Sequence, residues 1–458
     1  MAPLMQSFLR GLKDQRGVAA PIIALAFTAI ISSVGASIDY ARAQMAQAKL
    51  SDTLDAAALA AGSIVNAQPT QVETMANNYF NVNFPQGYMD ATISPLQFVN
   101  NTEGNPPIIT ASATIPTIFM GIVGINTMTV NAHTEIARAS SGLELVLVMD
   151  NTGSMAGQKL TELKASATDL VNILFGNNAT KDDLWIGLVP FAQSVNIGNS
   201  HTSWLDGTTF DWGPTSWGGC VDAQDGGKDQ SDDPPTTTAD KLRAYYWPSD
   251  SNNTWRTVSR RGRVTYSTIT STRGPNAYCS KEVTPMTNQK AAILEGINAM
   301  TANGNTHVNL GAVWGWRMLS PKWRGLWGGT MNANNLPLDY GTEKMTKVAI
   351  ILTDGQNTMS NSTRTSYWYL SDGKLGTTNS SNAVAELDRR TLEVCNAMKA
   401  KGIIVYTLLY DLNNSTIANL YSNCASKPDY FFNSPTYDTL HSAFQTIGDS
   451  LSNLHISK

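Results

Sequence analysis

The sequence predicts an α/β fold, a doubly wound and mainly parallel sheet with helices on both faces. An N-terminal transmembrane helix, its stalk and a small α+β region precede it. Three observations carry this. The stretches 143–149 and 347–353 are almost wholly apolar and rich in Val, Ile and Leu, as strands buried on both faces of a parallel sheet are. Strand-like and helix-like stretches alternate over 141–458, which calls for parallel strands with crossover helices. Ahead of them, 17–38 is an apolar run without a single charge.

That run is about the roughly 20 residues a helix needs to span a bilayer, and it is longer than the core of a typical signal peptide. A cleavage site at Ala41–Ala43 is the alternative. Arg10, Lys13 and Arg16 precede the run. The excess of cations places 1–16 in the cytoplasm and the bulk of the chain on the other side. The apolar pattern continues as an Ala-rich helical stalk over 41–61. Within 39–140 a helix is expected at 71–83. Period-2 strands are expected at 91–94, 107–116 and 128–138, with an apolar, Gly-containing turn between the last two.

The domain at 141–458 opens with strand 143–149, which stops at Asp150. The helix at 156–175 carries Leu160, Leu163, Ala167, Leu170, Val171 and Leu174 on one face. Asp150, Thr152 and Ser154 therefore lie on a loop at the carboxyl end of a central strand, where open α/β sheets bind ligands. One carboxylate and two hydroxyls, spaced two apart, can turn three oxygens toward one point. Such oxygens suit a hard divalent cation, Mg²⁺, Mn²⁺ or Ca²⁺, at one site. For the bare pattern, a turn capping the next helix is the alternative.

Strand 184–191 follows, and then the alternation lapses over 193–283. A structureless loop of that length is improbable. The stretch is expected to be an inserted subdomain closed by a Cys220–Cys279 disulfide, its tryptophans forming a small core. Its aspartates, Asp222, Asp225, Asp229, Asp232 and Asp233, lack EF-hand spacing and are expected to form a solvated acidic loop. The pattern resumes with a helix at 287–300, a glycine-headed helix after Gly304, strand 347–353 ending on Asp354, and an aromatic surface loop at 367–382. A helix at 383–401, strand 403–410, a short strand near Tyr430 and a closing helix at 436–454 complete the chain.

Charged residues make up 15% of the 458 and the net charge is −4, so there is no basic excess to suggest a nucleic-acid partner. The chain has four cysteines, Cys220, Cys279, Cys395 and Cys424, and they lack the close pairing of a zinc site. An even number at wide spacing fits disulfides in an oxidising compartment.

The N-terminal pattern resembles the TadE/TadG-type module of tight-adherence (Flp) pilus assembly. The resemblance rests on Arg16-Gly-Val-Ala-Ala-Pro-Ile-Ile, on Gly35, Asp39, Tyr40 and Arg42, and on Asp55-Ala-Ala-Ala-Leu-Ala. Processed prepilins carry Glu at the fifth position after the cleavage Gly. Counted from Gly17 that position is Ile22, so a permanent anchor is expected. Asp150-x-Thr152-x-Ser154 resembles the metal-ion-dependent adhesion site of von Willebrand factor A domains, with Thr in place of the usual middle Ser. The resemblance implies that Thr306, in Gly304-Asn-Thr, and Asp354, after the second apolar strand, complete the ligand set. His307 is not expected to be a ligand, because such sites use oxygen. The run Trp314-Gly-Trp-Arg-Met-Leu-Ser-Pro321 resembles TadG-like chains, and by the same resemblance Cys395 and Cys424 pair.

The resemblance implies a membrane-anchored, extracytoplasmic binding or assembly protein of a pilus system in the bacterial inner membrane, with onward export to the cell surface left open. Its ion would take a carboxylate from a protein partner, a pilus or other Tad component. A structural A-type domain with a non-functional metal loop is the alternative. A metal-dependent hydrolase is disfavoured: the sequence has no HExxH, GxSxG or GxxxxGK[ST], and its five histidines are scattered. The chain is not expected to be an enzyme.

Overall fold

A computed structural model describes residues 19–62, 69–99, 108–135 and 142–454. The expected cytoplasmic segment, 1–16, lies outside them. The chain divides into two units, Met1–Ala139 and Ser140–Lys458.

The first unit is built on α1 (Ala19–Gly62) and α2 (Pro69–Asn83). Four short strands complete it: β1 (Thr92–Ile93), β2 (Gln97–Val99), β3 (Ile108–Pro116) and β4 (Thr127–Glu135). They form one antiparallel sheet in which β3 pairs with the other three. Period-2 alternation turns Ile109, Ala111, Ala113 and Ile115 inward. There they join a core with Leu50, Leu54 and Ala57 of α1 and Val72, Ala76 and Phe80 of α2. The small Ala side chains of α1 let the sheet approach closely. Among the described residues no helix is long and apolar enough to cross a membrane. The expected span at 17–38 is therefore not supported by them. Residues 17 and 18, and the side chains of 19–25 and 28, lie outside the description.

The second unit opens with β5 (Gly142–Asp150), α3 (Gln158–Phe175) and β6 (Leu184–Phe191). Then come β7 (Val195–Asn196), β8 (Cys220–Val221), the hairpin of β9 (Arg256–Val258) and β10 (Val264–Tyr266), and β11 (Thr284–Thr287). Next are α4 (Lys290–Ala299), α5 (Val308–Leu319), the short α6 (Gly329–Ala333), β12 (Met345–Thr353) and α7 (Ser380–Ala400). The chain closes with β13 (Ile404–Tyr410), α8 (Ser415–Cys424), β14 (Phe431–Ser434) and α9 (Tyr437–Leu454). The main sheet runs β14-β13-β12-β5-β6-β7-β8, with β11 also on β6. Its first five strands are mutually parallel, and β7, β8 and β11 are antiparallel additions. Every residue of β5 and β6 is buried. One face packs on Leu163, Leu170, Ile293 and Phe444 from α3, α4 and α9. The other packs on Val313, Leu387 and Leu420 from α5, α7 and α8.

The expected inserted subdomain at 193–283 is corrected in one respect. Its β7 and β8 extend the main sheet, and Trp204, Val221 and Leu242 belong to the same core as α5. The segment also keeps a small core of its own, in which Tyr245, Trp247 and Ala277 pack beside the Cys220–Cys279 bond, so it both completes the sheet edge and carries the expected aromatic cluster. The expected solvated acidic loop is overturned for Asp222, Asp229 and Asp232, which are buried. Arg364 holds Asp222 with two bonds of 3.0 and 2.7 Å. Asp229 accepts from Arg390 at 2.6 Å and Asp232 from Lys322 at 2.8 Å. Buried carboxylates of this kind persist because each has a cationic donor. The expected surface loop at 367–382 likewise buries Tyr367, Leu370 and Leu375. Cys220 is bonded to Cys279, and Cys395 to Cys424. The second bond ties the end of α8 to α7.

Candidate metal centre

The site is assembled by strand register. β5 and β12 run parallel, with Val148 opposite Ile351 and Met149 opposite Leu352. Both strands therefore end at the same level. There the Thr353 hydroxyl donates to Asp150 Oδ2 at 2.6 Å. Asp150 Oδ1 accepts the N–H of Thr152 at 2.7 Å, which turns the loop back over the strand end. The Thr152 and Ser154 hydroxyls lie 2.9 Å apart, and Ser154 donates to Asp354 Oδ1 at 2.7 Å. Asp150, Thr152, Ser154 and Asp354 thus form one connected cluster of oxygens.

Thr306 comes from a second loop that is pinned to both others. Gly153 N–H donates to Gly304 O at 2.9 Å, and Asn303 N–H to Asn151 O at 2.7 Å. On the other side, Thr306 N–H donates to Thr358 Oγ1 and Thr358 N–H to Thr306 O, each at 3.0 Å. Thr306 is buried. Gly304 sits at φ +77°, a left-handed conformation that suits glycine, and a Cβ there would meet the Gln193 side chain at 3.0 Å.

The electrostatics are those of a site short of positive charge. Burial, and then the Asp354 charge, push the Asp150 carboxyl up to about 6. The hydrogen bonds from Thr353 and Thr152 oppose this and do not cancel it. All the donor atoms are oxygens, the set that Mg²⁺, Mn²⁺ or Ca²⁺ takes. The residues present therefore fit such an ion. No group of three or more His, Cys, Asp or Glu fit to hold a metal occurs among the described residues. The fit thus depends on the hydroxyls as well as the two carboxylates.

Several participants carried no signal in the sequence. Lys159, on the first turn of α3, donates to Asp354 Oδ2 at 2.9 Å and lies 3.1 Å from Asp411 Oδ2, just past β13. Burial opposes its charge, but the two carboxylates prevail and raise the ammonium's pKa. Gln193, buried, accepts from Asn305 N–H at 3.1 Å and donates to Arg364 O at 2.6 Å, so it braces the second loop from behind. Asn357 accepts from Val308 N–H at 2.8 Å and fixes the start of α5 to the third loop. These contacts join residues 49 to 252 positions apart, and no local pattern encodes them. His307 is buried, with Nε2 3.1 Å from Thr358 O, and desolvation lowers its pKa to about 4. It is a neutral bracing residue.

Residues 17–66 match the model of a TadE/G-like family assigned to Flp pilus assembly. No curated protein matches the chain. Among solved structures, the chain is similar to the von Willebrand factor domain of the type V pili tip protein Mfa5 from Porphyromonas gingivalis, at 12% identity and TM-score 0.37. That match covers 70% of this chain and 97% of the other. The pilus adhesin SpaC from Lactobacillus rhamnosus GG matches at 12% identity and TM-score 0.36, over 78% of this chain and 34% of SpaC. A von Willebrand factor type A protein from Catenulispora acidiphila matches at 11% identity and TM-score 0.29, over 78% of this chain and 49% of its own length.

Proposed function

From an N-terminal segment of the TadE/G-like type, we propose that this chain is a membrane-anchored binding and assembly protein of a Flp-type pilus system. It recognises a protein partner through a divalent ion held by Asp150, Thr152, Ser154, Thr306 and Asp354. The observation that carries this is the oxygen cluster at the ends of β5 and β12, where the Thr152 N–H ties in Asp150 at 2.7 Å and the Thr152 and Ser154 hydroxyls lead on to Asp354 at 2.9 and 2.7 Å. The ion, when bound, supplies a Lewis-acidic centre for a partner carboxylate. The protein's own part is to hold the ligand oxygens and exclude water with the buried strand ends.

Two disulfides support an oxidising, extracytoplasmic location for the second unit. The anchor is supported by the uncharged run 17–38, in which Phe27, Ile30, Val34 and Ile38 are exposed on α1. The anchoring membrane is the inner one, with 1–16 on its cytoplasmic side.

The test is thermal unfolding of the chain in detergent with Mg²⁺, Mn²⁺, Ca²⁺ or chelator, alongside Asp150→Asn. A stabilisation by one ion, absent in the variant, supports the adhesion-site function. No shift with any ion would leave a structural domain.

A further inference from the structure

The β3–β4 connection carries a second apolar surface that the pilus-assembly function does not use. Thr117–Asn126 has no charge, and no acidic or basic side chain occurs between Glu103 and His133. At its tip Ile118 is 61% exposed, Ile122 63% and Val123 57%. Exposed aliphatics in such density usually mark a contact surface.

The tip is fixed against α1. Asp39 accepts the N–H groups of Ile118, Phe119 and Met120 at 2.8 to 2.9 Å. One turn earlier, Gly35 lets Phe119 in: a Cβ at Gly35 would stand 2.3 Å from Phe119 Cβ. The tip therefore lies level with helix residues 35–39. That is the end of the uncharged run, where Val34 and Ile38 are exposed beside it. The next turn changes character. Tyr40 is exposed, and Arg42 donates to Pro116 O at 3.1 Å and Met89 O at 3.3 Å. An aromatic and a cation just beyond an apolar stretch are the residues expected at a membrane–water boundary.

We infer, building on the proposed anchor, that the tip at Ile118–Ile125 inserts into the lipid interface beside α1 as a second membrane contact. The ligand is the bilayer's own apolar boundary. The tip has no cation, so its insertion does not require anionic lipid. A single helix leaves a protein free to swivel about its axis; a second contact, rigidly bonded to that helix through Asp39, sets a fixed orientation at the surface.

The test uses the full chain in phosphatidylcholine vesicles with an environment-sensitive fluorophore on Ile122→Cys. Val123→Cys repeats the reading at a neighbouring exposed position. Val82→Cys, 82% exposed on α2, is the control. Lipids spin-labelled near the headgroup should quench the tip labels roughly twofold, as expected for shallow interfacial insertion, and leave the control unchanged. Added anionic lipid should not alter this. Unquenched tip labels on a chain that floats with the vesicles would overturn the insertion and leave the anchor standing. A chain that does not float with vesicles would overturn both. Blue-shifted emission without quenching would place the tip against protein and overturn the lipid assignment.

Discussion

Asp39 and Asp150 are both buried, at 2% and 0% exposure, yet their carboxyls move in opposite directions. Asp39 accepts three backbone N–H groups and has the Arg42 guanidinium at 3.9 Å. Burial alone would raise its pKa, but these donors hold it below the usual range. Asp150 accepts the Thr152 N–H and hydrogen bonds from the Thr353 and Thr152 hydroxyls, but it faces Asp354, and it rises to about 6. Neither carboxyl is open to solvent, but Asp150 lies deeper and faces a second carboxylate, whereas Asp39 has a guanidinium beside it, so depth and neighbouring charge separate them. A carboxylate with a full set of donors is complete as a structural cap. One that is buried beside a second carboxylate, with no cation of its own, is where an added cation lowers the free energy.

The largest effect should come from removing the complete partner. Asp39→Ala leaves three N–H groups at the hairpin tip without their acceptor, which should cost on the order of 3 kcal/mol. Hydrogen exchange of the amides of 118–120 would report it as lost protection. Asp39→Asn keeps an acceptor oxygen and should lose less. If Asp39→Ala left those amides protected, the contrast would collapse, because Asp39 would not be holding the tip.

The incomplete carboxylate should respond to ions. A ligand that binds only the folded state adds about 2.7 kcal/mol at a hundredfold excess over its Kd. Thermal unfolding should show such a shift with one of Mg²⁺, Mn²⁺ or Ca²⁺. Asp150→Asn should abolish the shift, and Asp39→Asn should leave it intact. A shift that survived Asp150→Asn would place the ion elsewhere.

The two groups should also pull stability in opposite directions with pH. Asp39 has a depressed folded-state pKa, so its contribution is present above about 3.8 and is lost as pH falls through the lower folded value. Asp150 has a raised one, so in chelator the folded state binds the extra proton. Its contribution is full below 3.8 and is lost as pH rises through about 6. Denaturant titrations of Asp150→Asn in chelator should lose that decline between pH 4 and 6.

What was legible in the sequence was whatever repeats locally. β5 and β12 read as buried strands because apolar residues, mostly Val, Ile and Leu, run unbroken over 145–149 and 348–352, and the carboxylates after them mark the loops. The alternation of β3 marked the sheet of the first unit. The joining of the insertion to the main sheet leaves no periodic trace, because β7 and β8 are two residues long. Asp222, Asp229 and Asp232 looked solvated because their cationic partners lie 90 to 161 residues away. Lys159 was invisible for the same reason: on a helix that starts with Gln158, one lysine among several announces nothing until β12 and β13 bring Asp354 and Asp411 to it.

That lysine sharpens the comparison most finely. Asp354 is split between two donors, Ser154 on Oδ1 and Lys159 on Oδ2, so Lys159 already supplies part of the missing positive charge. A divalent ion at the cluster gains from both carboxylates and is repelled by the ammonium. Lys159→Met keeps the aliphatic stem and removes the charge. Divalent affinity should rise about tenfold, the equivalent of about 1.4 kcal/mol. In chelator the same variant should melt lower, because the buried Asp354 side chain loses its counter-charge. The two readouts separate the roles. A lysine that only braces the fold would lower the melting temperature with and without ion and leave the ion-induced shift unchanged. One that stands in for the ion must widen the shift as it lowers the chelated baseline.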